Sequence, residues 1–108
     1  MVEVDNQESL QEKLREEELV AVYLYTPMCG TCQVASRMID ILEKIPTTYF
    51  YIKANLNYLP QFAEERGIES VPCLLLYRKG EEMERIYAFQ SVPYLHERLQ
   101  DISTNVKD

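Results

Sequence analysis

Cys29-Gly30-Thr31-Cys32 is the stretch of this 108-residue chain whose residue types and spacing most directly suggest chemistry. Two thiols with two residues between them can close a small ring once one helical turn draws them together. An apolar run precedes the pair and a helical pattern follows it, so the cysteines fall where a strand turns into a helix. At that junction the first sulfur meets unpaired backbone N–H groups and the positive end of a helix dipole, and both favour its thiolate. A Cys-X-X-Cys thiolate can titrate near pH ~7, against ~8.5 for a free cysteine. Cys29 is therefore expected to attack and Cys32 to resolve. A zinc site is the competing use of Cys-X-X-Cys, but it calls for about four ligands. The third cysteine, Cys73, and a lone, distant His96 complete such a set poorly, so no metal is expected.

The elements that must hold this pair follow from the pattern of the rest. Residues 1–4 suit a short edge strand. Asp5 reads as an N-cap, with Glu8 closing a capping box, ahead of a helix carrying Leu10 and Leu14 on one face. Residues 19–25, Leu-Val-Ala-Val-Tyr-Leu-Tyr, read as a buried strand by length and by β-branched and aromatic content. A second helix is predicted from the cysteines to Lys44, with Val34, Met38, Ile41, Leu42 and Ile45 as its apolar stripe, and Pro46 stops it. Residues 48–53 alternate as a strand, and Leu59, Phe62 and Ala63 support a short helix ending at Gly67. Val71-Pro72 introduces the strand 73–77, and Arg78-Lys79-Gly80-Glu81 suits a hairpin in which Gly80 takes positive φ. Residues 83–88 return as its partner. Ser91 caps a last helix with Val92, Leu95, Leu99 and Ile102 inward. The order β-α-β-α-β-α-β-β-α implies an α/β fold, a mixed central sheet with helices on both faces, in a single domain over residues 1–108.

Composition narrows the function classes. Eighteen acidic against eleven basic side chains give a formal charge of -7. Recognition of a nucleic-acid backbone needs a basic surface, and an anionic membrane is disfavoured for the same reason. The negative charge concentrates in residues 1–18, where Glu3, Asp5, Glu8, Glu12, Glu16, Glu17 and Glu18 face only Lys13 and Arg15; a solvated helix face accounts for it. No run approaches the ~20 apolar residues that cross a bilayer. The amino end lacks the basic and apolar regions of a signal peptide, and three cysteines leave one over from any disulfide framework. The cytosol is the expected location.

With these residues in place the chain resembles the thioredoxins, and more closely the small cytosolic thioredoxin-like proteins of Bacillus-type bacteria. Met28-Cys29-Gly30-Thr31-Cys32, Lys53 at the end of the next strand, and Gly67-Ile68-Glu69-Ser70-Val71-Pro72 before residues 73–80 carry the likeness in the right order. The resemblance implies a three-layer α/β/α fold and reduction of protein disulfides through Cys29 and Cys32. It implies no cofactor in the domain, a thioredoxin reductase as electron donor, and a monomer. In that family the proline matching Pro72 is cis and lies against the disulfide. The backbone of the residue matching Val71 pairs with an extended substrate strand. Gly30, Thr31 and Lys53 fall at supporting positions, Met28 and Ala88 beside the substrate groove. The chain departs from the family at Met28 (usually Trp), Thr31 (usually Pro), Ala88 (often Gly) and Tyr23, where a buried aspartate is usual. A non-proline at position 31 implies a more oxidising disulfide. Ala88 implies a narrower approach, and Tyr23, with a phenol pKa near ~10, implies a poor base beneath Cys32.

Other residues have plainer readings. Cys73 is expected near the redox pair, as a small buried side chain or as a third thiol. His96 reads as a helix-surface residue. Tyr23, Tyr25, Tyr49, Tyr51 and Tyr77 read as sheet packing, and Tyr58 and Tyr87 as candidates for the site's rim. Two alternatives to a protein-disulfide reductase stand beside it. One is a non-catalytic binding domain using the same groove; the other is a reductase of low-molecular-weight-thiol mixed disulfides that needs Cys29 only.

Overall fold

The computed structural model describes residues 1–104. Its elements are β1 (Val2–Val4), α1 (Gln7–Glu16), β2 (Leu19–Tyr25), α2 (Gly30–Lys44), β3 (Phe50–Asn55), a 3-10 turn at Leu56–Tyr58, α3 (Pro60–Arg66), β4 (Cys73–Arg78), β5 (Glu81–Ile86) and α4 (Val92–Thr104). The order along the chain is the expected one. The strands form one five-stranded sheet in the order β1-β3-β2-β4-β5. β1, β3 and β2 run parallel, and β4 pairs antiparallel with both β2 and β5. Among the described residues no helix is long and apolar enough to cross a membrane.

β2 is the central strand, and burial on both faces explains its uninterrupted apolar sequence. Ala21 and Tyr23 face a core formed with Ala35, Ile39 and Leu42 of α2 and Leu95 and Leu99 of α4. Val20, Val22 and Leu24 face the opposite core, formed with Leu10 and Leu14 of α1 and Phe62 of α3. Helices thus cover both sides of the sheet, the three-layer α/β/α arrangement. The Lys79-Gly80 hairpin carries positive φ at both residues, +51° and +81°, the type I′ geometry whose twist matches the strands it joins.

Three local expectations shift. The cap of α1 is Asn6, not Asp5: its Oδ1 accepts the Ser9 N–H at 2.7 Å, so the helix begins one residue later and Glu8 closes no box. β3 begins two residues later than expected, because the Thr47 hydroxyl accepts the Tyr49 N–H at 2.8 Å and holds that segment in a turn. In α2 the buried stripe is Cys32, Ala35, Ile39 and Leu42, whereas Val34 and Ile41 are 55% and 51% exposed. Both rows satisfy the 3- and 4-residue spacing. The row carrying Cys32 is the one turned to the sheet, which leaves Met38 and Ile45 at its margin.

Candidate active site

The sheet ends β2 at Tyr25, and the turn Thr26-Pro27-Met28 leads directly into the first turn of α2. Cys29 is the N-cap of α2: its Sγ accepts the Cys32 N–H at 3.1 Å, in place of the hydroxyl or carboxylate that usually caps a helix. Cys29 and Cys32 are joined as a disulfide, with Cα atoms 5.2 Å apart. Cys29 is partly exposed and Cys32 buried, so an incoming group reaches the first sulfur.

On the facing side, the segment between α3 and β4 brings the Val71 carbonyl oxygen to 3.7 Å from Cys29 Sγ, and the Val71–Pro72 peptide bond is cis. Thr31 Oγ1 lies 3.4 Å from the same sulfur. Gly30 occupies the first turn with open space around it, and Met28 is 93% exposed at the lip. A groove of about 440 Å³ runs past Thr31, Val34, Met38, Pro72, Tyr87 and Phe89. Ala88 is exposed after β5 and does not line it; its neighbours Tyr87, Phe89 and Gln90 do. Tyr58 is exposed and lines neither this groove nor the smaller cavity on the other side of the disulfide.

That smaller cavity, about 180 Å³, is bounded by Tyr25, Cys29, Cys32, Ser36 and Lys53. Lys53 is only partly buried. Its ammonium sits 4.9 Å from the centre of the Tyr25 ring, an arrangement in which the ring face attracts the cation. Beneath the first turn of α2, Tyr23 is fully buried. Its hydroxyl donates to the Cys32 carbonyl at 2.8 Å and shares a 2.9 Å bond with Ser36 Oγ. Burial raises the phenol's pKa above its usual value, although the Ser36 bond acts the other way. Tyr23 is thus a permanent donor and no base.

Cys73 begins β4 fully buried in the core shared with α1 and α3, the sheet face opposite α2. Burial pushes its thiol up to about 12, which removes the thiolate that a third redox sulfur would need. His96, on α4, lies beside Thr47, Tyr49 and Gln100 rather than near the cysteines.

The sequence profile of thioredoxin matches residues 1–101. The chain belongs to the thioredoxin family. It is 48% identical over 91 residues to the thioredoxin-like protein YusE of Bacillus subtilis (strain 168), covering 83% of this chain and 85% of that one. It is 31% identical over 77 residues to the thioredoxin of Porphyra purpurea, covering 70% and 72%. Among solved structures, a mutant thioredoxin from Halobacterium salinarum NRC-1 superposes with a TM-score of 0.86 at 22% identity, covering 99% of this chain and 93% of that one. A thioredoxin from Trypanosoma brucei brucei gives 0.87 at 17% identity, covering 97% and 92%. At such identities the likeness to these structures concerns the fold. The vicinal cysteine pair at the head of α2 gives this thioredoxin-family chain the chemistry of a thiol–disulfide oxidoreductase.

Ser36 and Arg85 carried no sequence signal, whereas Tyr87, read from the sequence as a rim candidate, does line the groove. Ser36 is one polar residue in an amphipathic helix, and its partnership with Tyr23 depends on how α2 lies over β2. Arg85 and Tyr87 belong to a stretch that alternates as a strand, where a charge ordinarily means a solvated face. In the folded chain both reach the segment that precedes Val71-Pro72.

Proposed function

We propose that this chain reduces protein disulfides through Cys29 and Cys32, acting as a single domain over residues 1–108. The observation that carries the reading is the position of Cys29 Sγ, which caps α2 through the Cys32 N–H and lies 3.7 Å from the Val71 carbonyl oxygen. In the reduced protein the Cys29 thiolate attacks one sulfur of the substrate disulfide. A mixed disulfide forms, the substrate S–S bond breaks, and the other substrate sulfur leaves as a thiolate. Cys32 then loses its proton and attacks Cys29 Sγ, which closes the Cys29–Cys32 bond and releases the second substrate sulfur. Two electrons pass to the substrate, and the two protein thiol protons end on its two sulfurs.

The cis Val71–Pro72 bond and the closeness of the Val71 carbonyl to Cys29 Sγ support backbone pairing with an extended substrate strand. Met28 forms the exposed lip of that contact, while Gly30, Thr31 and Lys53 support the dithiol. Electrons return from outside the chain, and family membership supports a thioredoxin reductase as donor. The protein works as a cytosolic monomer with no nucleic-acid partner.

Equilibration in defined dithiol buffers, with free thiols counted by alkylation and mass, tests the reading. The Cys29–Cys32 couple is expected between about -270 mV and -200 mV, the span from thioredoxin to glutaredoxin-like potentials. Cys32→Ser is expected to accumulate a mixed disulfide with a protein substrate, and Cys29→Ser none. Failure to form the Cys29–Cys32 bond in any buffer refutes the dithiol mechanism.

A further inference from the structure

The segment Gly67-Ile68-Glu69-Ser70-Val71-Pro72 links α3 to β4 without regular structure, yet its last residues must stand at a set height over Cys29. Its start is held locally. Gly67 takes the left-handed conformation at φ +63°, and the Ile68 N–H returns to the Ala63 carbonyl at 2.9 Å, the Schellman arrangement. That arrangement leaves the carbonyls of Arg66 and Gly67 pointing out of the helix end. Both are taken up by one side chain from a different element.

Arg85 of β5 donates from Nη2 to the Arg66 carbonyl at 2.8 Å and from Nη1 to the Gly67 carbonyl at 3.0 Å. Its Nε and Nη2 also hold both carboxylate oxygens of Glu82 at 2.8 and 3.0 Å, and Nη1 reaches the Tyr87 hydroxyl at 3.5 Å. These contacts use all five N–H donors of the guanidinium. The Tyr87 hydroxyl in turn accepts the Glu69 N–H at 3.1 Å. The last carbonyl of α3 and one carbonyl and one amide of the linking segment are thus tied to β5 and the residue after it, two to five residues before Val71, and Tyr87 itself walls the groove beside Pro72.

We propose that Arg85 and Tyr87 are positioning residues that set the Val71–Pro72 edge over Cys29 for pairing with an extended disulfide-bearing strand. The inference rests on the protein-disulfide reading above and adds the part of the chain that sets substrate affinity. A lysine at position 85 keeps a cation for Glu82 but has no planar fork with which to span Glu82 and both carbonyls. Reduced wild type and Arg85→Lys are mixed with an extended disulfide peptide and, separately, with dithionitrobenzoate, a small disulfide that has no backbone to pair. Single-turnover rates against concentration are read by acid quench and mass. Arg85→Lys is expected to raise the half-saturating peptide concentration by about two- to tenfold, the worth of one or two hydrogen bonds, with its maximal rate and its dithionitrobenzoate rate changed less than twofold.

Equal changes with both substrates, or none with the peptide, overturn the proposal. Amide exchange supplies a readout independent of turnover. In Tyr87→Phe, which deletes only the hydroxyl, the Glu69 N–H is expected to exchange faster by about two- to tenfold. An unchanged rate there also overturns the proposal. If wild type reduces neither substrate, the protein-disulfide reading fails by itself, and the Glu69 exchange still decides whether the two residues hold the segment.

Discussion

Removing the Tyr23 hydroxyl tests how the fold supports the resolving cysteine. Tyr23→Phe keeps the ring, which packs edge-on against Phe89 and stacked beside Tyr25 at 6.1 and 5.9 Å between centroids. It deletes two hydrogen bonds, one to the Cys32 carbonyl and one with Ser36 Oγ. Ser36 is only partly buried and can turn to water, and the Cys32 carbonyl keeps the i+4 amide of α2 as a partner. The loss is then near the low end for two bonds worth about 0.5–1.5 kcal/mol each, or about 1–2 kcal/mol in all. For a chain of this size that lowers Tm by roughly 4–15 °C. Urea titration of the oxidised and reduced forms is the assay, with a lower midpoint and an unchanged slope as the expected result. Because the hydroxyl touches a backbone carbonyl and a serine but neither sulfur, both redox forms should lose stability alike. Since 30 mV corresponds to about 1.4 kcal/mol for this couple, the potential should then move by less than about 15 mV. A larger shift would mean that Tyr23 distinguishes dithiol from disulfide, and no loss of stability would mean that the bond to Cys32 contributes nothing.

Two further predictions test the frame around the site. Ile39→Ala in α2 is expected to cost about 2–5 kcal/mol and Ile41→Ala less than about 0.5 kcal/mol, measured by urea unfolding; comparable costs would contradict the rotation of α2 about its axis. The second concerns Glu82. Burial raises its pKa, but the Arg85 and Arg66 guanidinium groups more than offset this, so the carboxyl titrates below its ordinary range. A depressed folded-state pKa contributes stability above the unfolded value of ~4.3 and loses it as pH falls through the folded value. Glu82→Gln is therefore expected to be less stable than wild type at pH ~6, by a gap that shrinks as pH falls below the unfolded value; a gap that does not shrink in acid would show that the loss is not one of charge.

Much of the framework is legible in the chain because its signals are local. The apolar run at β2 has no polar break, so it reads as a strand buried on both faces. Gly67 and Gly80 occupy positive-φ positions that their neighbours announce. Ser91 caps α4 as expected, accepting the Tyr94 N–H at 3.2 Å. The misplaced features have a common origin. Apolar spacing in α2 defines angles between residues but no absolute rotation, and Val34, Met38 and Ile41 form as regular a row as Ala35, Ile39 and Leu42. Asp5 and Asn6 are both good caps, and the first residue of helical φ selects between them.

The site divides along the same line. Cys29 and Cys32 stand three residues apart at a strand-to-helix junction, so a local pattern was enough to find the disulfide pair. The approach of the Val71 carbonyl to Cys29 spans 42 residues, and no neighbour relation in sequence encodes it; the family resemblance alone anticipated it. Arg85 and Ser36 had not even that guide, and for Tyr87 the sequence suggested a place at the rim but not its bond to Glu69. A guanidinium on an alternating strand has the same local sequence whether it faces water or gathers two helix-end carbonyls. Only the antiparallel return of β5 beside β4, with α3 packed across the sheet, brings donors and acceptors within 3 Å of one another. Short-range chemistry was therefore set by residue type and spacing, and long-range positioning by the packing of whole elements.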